Sequence, residues 1–166
     1  MTQRLFIFVG HSGAGKTTYI ERLIPELRAR GLRVATLKHA HHKVALDHEG
    51  KDSWRHKQAG AEAAMLVTAG ALQLVADLGD GPEREPAVLA ARFFPEADIV
   101  LAEGFSHAPG AKIEILRAAC AKPPRCTPAD GLVAMVSDCA DAHPELPHFA
   151  LDDCAALADF LLAWPA

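Results

Sequence analysis

Residues Gly10-His11-Ser12-Gly13-Ala14-Gly15-Lys16-Thr17 fill every fixed position of a glycine-rich phosphate loop, G-x-x-x-x-G-K-[ST]. The flanks match as well. Leu5-Phe6-Ile7-Phe8-Val9 before it reads as a buried strand, and Thr18-Tyr19-Ile20-Glu21-Arg22-Leu23-Ile24 after it carries apolar residues at helical spacing. Strand, glycine turn and helix are the setting such a loop requires. The alternative is an ordinary glycine turn before a helix. Glycines let the backbone curl so that its N–H groups face phosphate oxygens, and the helix N-terminus adds positive potential. In that setting Lys16 reaches the β- and γ-phosphates and Thr17 places its hydroxyl on Mg²⁺. The expected ligand is a nucleoside triphosphate, contacted by Gly10, His11, Ser12, Gly13, Ala14, Gly15, Lys16, Thr17 and Thr18.

The remaining elements alternate. A helix is expected from Lys16 to about Arg30, with Gly31 as C-cap and Pro25 as a possible kink. Arg33–Lys38 returns as a strand, and Asp52 is expected to cap a short helix through Ala59. Ala64–Thr68 and Leu72–Val75, separated by Ala69-Gly70-Ala71, read as a hairpin. Glu85–Phe94 reads as a helix; Ile99–Ala102, Ile113–Leu116 and Leu132–Val136 read as buried strands. Asp152 or Asp153 is expected to cap a last helix through Leu162. The fold class is therefore α/β, P-loop NTPase-like, with a mostly parallel sheet flanked by helices and a β-hairpin extension. At 166 residues a single domain spanning 1–166 is expected. The net charge of −4, without a long basic run, argues against nucleic acid as the main partner. No apolar stretch approaches the roughly 18 residues that span a bilayer. The N-terminus does not read as a signal peptide, because its apolar run leads into the phosphate loop. Cys120, Cys126, Cys139 and Cys154 show no Cys-x-x-Cys pair and read as reduced thiols of a cytoplasmic protein.

Phosphate-loop proteins need a carboxylate at a neighbouring strand's end for Mg²⁺. Asp98-Ile99-Val100-Leu101-Ala102-Glu103-Gly104 offers two. Ligands bind at the carboxyl ends of parallel strands, and Asp98 lies roughly 16 Å from that end. Glu103 is thus the metal-side residue and Asp98 a strand entry, the alternative for Glu103 being an ordinary surface carboxylate. Gly104 lets the backbone pass close to the nucleotide. After the second strand, Lys38-His39-Ala40-His41-His42-Lys43 holds three histidines in four residues. They could ligate a transition metal, orient phosphates or a pterin-like anion beside Lys38 and Lys43, or form a solvated loop. Asp47, Lys51 and Asp52 extend this segment and could sense the γ-phosphate or its metal. Site residues outside the loop are therefore Lys38, His39, His42, Asp47 and Gly104 for the ligand, with Thr17, Glu103 and Asp47 for the metal. Lys16 and Glu103 are the candidate catalytic pair.

Gly10 to Thr18, Lys38-His39-Ala40-His41-His42, Asp47 with Gly50-Lys51-Asp52-Ser53, Gly60-Ala61 and Glu103-Gly104-Phe105 together resemble one family. It is the molybdopterin-guanine dinucleotide biosynthesis adapter family, MobB, and the resemblance runs to the terminal helix. It implies a cytoplasmic, homodimeric, GTP-binding protein that uses Mg²⁺ and has weak GTPase activity. Its implied partners are molybdopterin and the molybdenum cofactor guanylyltransferase that joins GMP to it. On the same resemblance the hairpin helps build a dimer's shared sheet. Relatives often carry Lys after Glu-Gly-Phe, where this chain has Ser106 and His107; Lys112 is near in sequence. No Asn-Lys-x-Asp or Thr-Lys-x-Asp motif reads guanine, and Asp138 after the last long strand is the candidate substitute. Two other functions fit the loop: a small-molecule kinase with Arg117 to Arg125 as its lid, and a metallochaperone-type GTPase using His39–His42.

Overall fold

A computed structural model describes residues 3–40, 47–79, 81 and 83–165, so His41, His42 and Lys43 lie outside the described residues. Their contacts divide the chain into two units, residues 1–39 with 84–166, and residues 40–83.

The first unit is built on six parallel strands in the order β2-β5-β1-β6-β7-β8: β1 Arg4–Val9, β2 Val34–Lys38, β5 Ile99–Glu103, β6 Ala111–Leu116, β7 Leu132–Ser137 and β8 His148–Phe149. Continuous apolar runs suit β1 and β5 to interior places in the sheet, since strands covered on both faces have no polar side to show. Sequence reading finds the long strands but not β8, whose two residues are too few to show a period.

Helices α1, Lys16–Ala29, and α4, Cys154–Ala163, cover one face. In α1, Tyr19, Leu23 and Leu27 recur every four residues with Ile20 beside them; in α4, Cys154, Leu157, Ala158 and Leu161 make the matching stripe. These stripes bury Phe6, Phe8, Ile99, Leu101, Ile113 and Ile115 of the sheet. Pro25 does not end α1, because it lies on the exposed side where water can serve the carbonyl left without its amide. Gly31 takes φ 82° just past the helix, and the Gly31 and Leu32 amides return to the Arg28 and Leu27 carbonyls, closing a Schellman turn. At α4, Asp153 rather than Asp152 is the cap, its carboxylate accepting the Ala156 amide at 2.9 Å.

The opposite face is covered less regularly. Leu89 of α3, Pro86–Phe93, packs there beside Phe105, Cys126 and Leu146 from irregular segments. On this face β6, read from the sequence as a buried strand, carries two buried charges, Lys112 and Glu114. Glu114 accepts the Arg125 amide at 2.7 Å and the Cys126 amide at 3.0 Å, while Lys112 donates to the Asp130 carbonyl. The Pro-rich segment Lys122-Pro123-Pro124-Arg125 through Pro128 is therefore anchored to the sheet by charge-assisted bonds. At the far end of β5, Asp98 is paired with the Arg33 guanidinium at 2.9 Å, and that contact lowers its pKa to about 2. It closes the sheet away from the ligand edge.

The second unit holds α2, Asp52–Gln58, and an antiparallel ribbon of β3, Ala63–Val67, with β4, Leu72–Ala76. The cap of α2 is Lys51, with Asp52 its first helical residue, so Asp52 favours the helix through the dipole and not as the cap. Register places Met65 opposite Leu74 and Val67 opposite Leu72, so one ribbon face is apolar. Val67 and Leu72 are each 66% exposed.

Replacing Glu114 by Ala is expected to cost about 3 kcal/mol, because the buried Cys126 amide and the part-buried Arg125 amide lose a charged acceptor. Urea denaturation checks this; a loss below about 0.5 kcal/mol would show that the segment is held by something else.

Candidate nucleotide site

Parallel pairing brings the carboxyl ends of β2, β5, β1, β6 and β7 to one edge, where ligands of such sheets bind. The phosphate loop leaves β1 at that edge. Gly10, Gly13 and Gly15 adopt φ of 141°, 81° and 92°, a region closed to most side chains. At Gly10 a Cβ would lie 2.4 Å from the Ile115 carbonyl oxygen, so the loop can leave the sheet only through glycine. Gly15 has a second constraint, since the Arg117 guanidinium lies against it with Nη2 2.9 Å from where a Cβ would stand. Ser12 and Gly13 are exposed, whereas Ala14 is buried and its amide donates to the His11 carbonyl at 3.2 Å. His11 Nε2 lies 2.9 Å from the Pro123 carbonyl oxygen, which ties the loop to the anchored Pro-rich segment.

Lys16 opens α1 and folds back over the loop, donating to the Gly10 and His11 carbonyls at 3.0 Å each. Burial pushes its pKa down, Glu103 opposes this, and Arg125 and Lys38 add to the lowering. These carbonyl bonds hold the ammonium at the mouth of the loop. Thr18 follows on the exposed first turn of α1.

Glu103, the last residue of β5, meets the loop directly. The Thr17 hydroxyl donates to both carboxylate oxygens, at 2.8 and 2.9 Å. Lys38 ends the adjacent strand in register with Glu103, and its Nζ lies 3.3 Å from Oε1 and 3.2 Å from Thr17 Oγ1. Hydroxyl and carboxylate oxygens thus already surround a positive charge, which is the donor set that Mg²⁺ prefers. The residues fit that ion. His39 donates its backbone amide to the Glu103 carbonyl at 2.9 Å, and its ring packs 5.3 Å from that of Phe105. Gly104, at φ 92°, has His39 Cβ only 3.0 Å from where a Cβ would be, so glycine is required for β2 and β5 to end side by side.

Asp138 follows β7 at the same edge; its Oδ1 accepts the Ala118 amide at 2.7 Å, which lowers its pKa. Lys112 is not at the ligand edge, being buried beneath Asp130. Asp47 stands in the second unit, where its Oδ1 accepts the His48 amide at 2.7 Å. His42 lies outside the described residues. Sequence reading names Arg117 only as one end of a kinase lid and misses its place against Gly15 of the loop, directly after the buried strand β6.

Lys16→Ala is expected to weaken triphosphate binding by about a hundredfold or more, since a charged donor to phosphate is lost. Titration with a fluorescent nucleotide measures this, with thermal melting as the folding control; unchanged affinity in a folded variant would remove Lys16 from the site.

Known proteins share this fold. The family profile described as molybdopterin guanine dinucleotide synthesis protein B, MobB, matches residues 5–138. The chain is similar to the molybdopterin-guanine dinucleotide biosynthesis adapter protein of Escherichia coli (strain K12), with 34% identity covering 96% of this chain and 92% of that protein. A crystal structure of molybdopterin-guanine biosynthesis protein B superposes with TM-score 0.76 at 28% identity, covering 96% of this chain and 97% of the other. Bacillus subtilis MobB superposes with TM-score 0.73 at 30% identity, covering 96% of each. Likeness on this scale, extending through the phosphate loop, the β5 carboxylate and the ribbon, makes this chain a member of the MobB family of molybdopterin-guanine dinucleotide biosynthesis adapter proteins.

Proposed function

We propose that this protein is a GTP-binding adapter in molybdenum cofactor biosynthesis, assisting the guanylyltransferase that attaches GMP to molybdopterin. The observation that carries the reading is the junction of the glycine loop with the Thr17–Glu103 pair at one sheet edge. Amides of Gly13 to Thr17 cradle the phosphates, Lys16 moves from the loop carbonyls onto them, and Thr17 with Glu103 holds Mg²⁺. Bound there, Mg²⁺ would neutralise charge on the β- and γ-phosphates.

Asp138 reads the base in this proposal. A carboxylate accepts from the N1 and N2 donors of guanine, which adenine lacks, and the Ala118 amide holds it ionised for the purpose. Turnover is weak. The carboxylate that Thr17 meets, Glu103, is assigned in this reading to the metal and so is not available to activate water.

The kinase alternative is less well supported. Its lid would be Arg117–Arg125, but the buried Glu114 holds the Arg125 amide and His11 meets Pro123, so the segment is fastened where a lid must swing. The metallochaperone alternative rests on the His39–His42 segment, of which His41 and His42 lie outside the described residues.

The protein works as a homodimer in this reading, with the ribbon as its contact. Two strands alone are marginal in water, and the exposed face of Met65, Val67, Leu72 and Leu74 gains stability by being covered by a second copy. Four free cysteines and the absence, among the described residues, of a helix able to cross a membrane accord with a cytoplasmic location.

Calorimetric titration with GTP and with ATP, each with and without Mg²⁺, tests the proposal. GTP is expected to bind more tightly than ATP, by about tenfold or more for two base hydrogen bonds, and Mg²⁺ to strengthen it. Equal affinities would remove the guanine reading; no binding of either would remove the whole.

A further inference from the structure

We infer that Lys38 is an internal counter-cation that fills the metal position until Mg²⁺ arrives with nucleotide, and so keeps free divalent ions out. This rests on the triphosphate reading above. Glu103 has a side chain only 14% exposed, so its negative charge is poorly hydrated and needs a cation close by. The loop lysine, Lys16, is occupied with the Gly10 and His11 carbonyls, and Lys112 is buried beneath Asp130. Lys38 supplies the charge instead. Its Nζ lies between the two groups that Mg²⁺ would need, 3.3 Å from Glu103 Oε1 and 3.2 Å from Thr17 Oγ1. The pairing is built into the sheet, because Lys38 and Glu103 are register partners at the ends of β2 and β5, and the His39 amide fixes the two backbones together.

An ammonium and a divalent ion cannot occupy one set of oxygens. Metal entry must displace Lys38, and the Lys38 side chain, 61% exposed, is free to swing out on its long stem. Free Mg²⁺ offers the displaced ammonium nothing and repels it. A magnesium–triphosphate complex offers it phosphate oxygens within the same crevice. Lys38 therefore opposes metal alone more than it opposes metal with nucleotide, and that difference orders the two events.

The test is Mn²⁺ binding to the nucleotide-free full chain, read from free Mn²⁺ by electron paramagnetic resonance. Wild type, Lys38→Met, Lys38→Gln and the double variant Lys38→Met with Glu103→Gln are compared. Both single variants are expected to bind Mn²⁺ about fivefold more tightly than wild type, the size of one exposed ion pair released from competition. The double variant should lose the gain, which separates this position from the histidine segment. Unchanged Mn²⁺ affinity in Lys38→Met and Lys38→Gln, or a gain that survives Glu103→Gln, would overturn the role of Lys38. GTP titration of wild type with Mg²⁺ keeps the two readings apart. Binding there with no Mn²⁺ effect refutes Lys38 alone, whereas no GTP binding refutes the triphosphate reading and this inference with it.

Discussion

Parallel pairing of β1 between β5 and β6 is the constraint on which the site depends. Parallel strands end together, so one backbone arrangement delivers the phosphate loop, Glu103 and Arg117 to the same edge. Residues nearly ninety positions apart thereby come within hydrogen-bond distance, as Thr17 and Glu103 do. The apolar sides of the strands supply the stabilising free energy. Phe6, Phe8, Ile99, Leu101, Ile113 and Ile115 are buried under α1 and α4, and none of them needs to take part in the chemistry.

Charge is handled differently on the two sides of this frame. At the ligand edge, Lys16, Lys38 and Glu103 are partly hydrated and exchangeable, each held by bonds that an anionic ligand or a cation can replace. On the buried face, Glu114 and Lys112 are fixed, because moving either would strand amides or a carbonyl away from water. The fixed charges serve the ligand edge. Glu114 anchors Arg125 and Cys126, the segment between them and β6 carries Pro123, and Pro123 meets His11 of the loop.

Most of the frame was legible in the residues. Periodicity locates β1, α1 and α4 because their apolar stripes are long, and strand direction alone selects Glu103 over Asp98. The legible part stops where long-range packing decides. Nothing local shows that Lys112 and Glu114 face a covering segment and not water, nor that β8 exists, nor that Lys51 caps α2 in place of Asp52. Lys38 is legible as a cation near phosphates; its place between Thr17 and Glu103 follows from the register of β2 with β5, which no single strand contains.

Occupation of the loop by a triphosphate is the central claim, and a crystal structure with a non-hydrolysable GTP analogue and Mg²⁺ tests it most directly. The account requires phosphate oxygens on the amides between Gly13 and Thr17, Lys16 Nζ released from the Gly10 and His11 carbonyls onto phosphate, and Mg²⁺ touching Thr17 Oγ1. Analogue bound elsewhere, or Lys16 still donating to those carbonyls beneath a bound nucleotide, would contradict it.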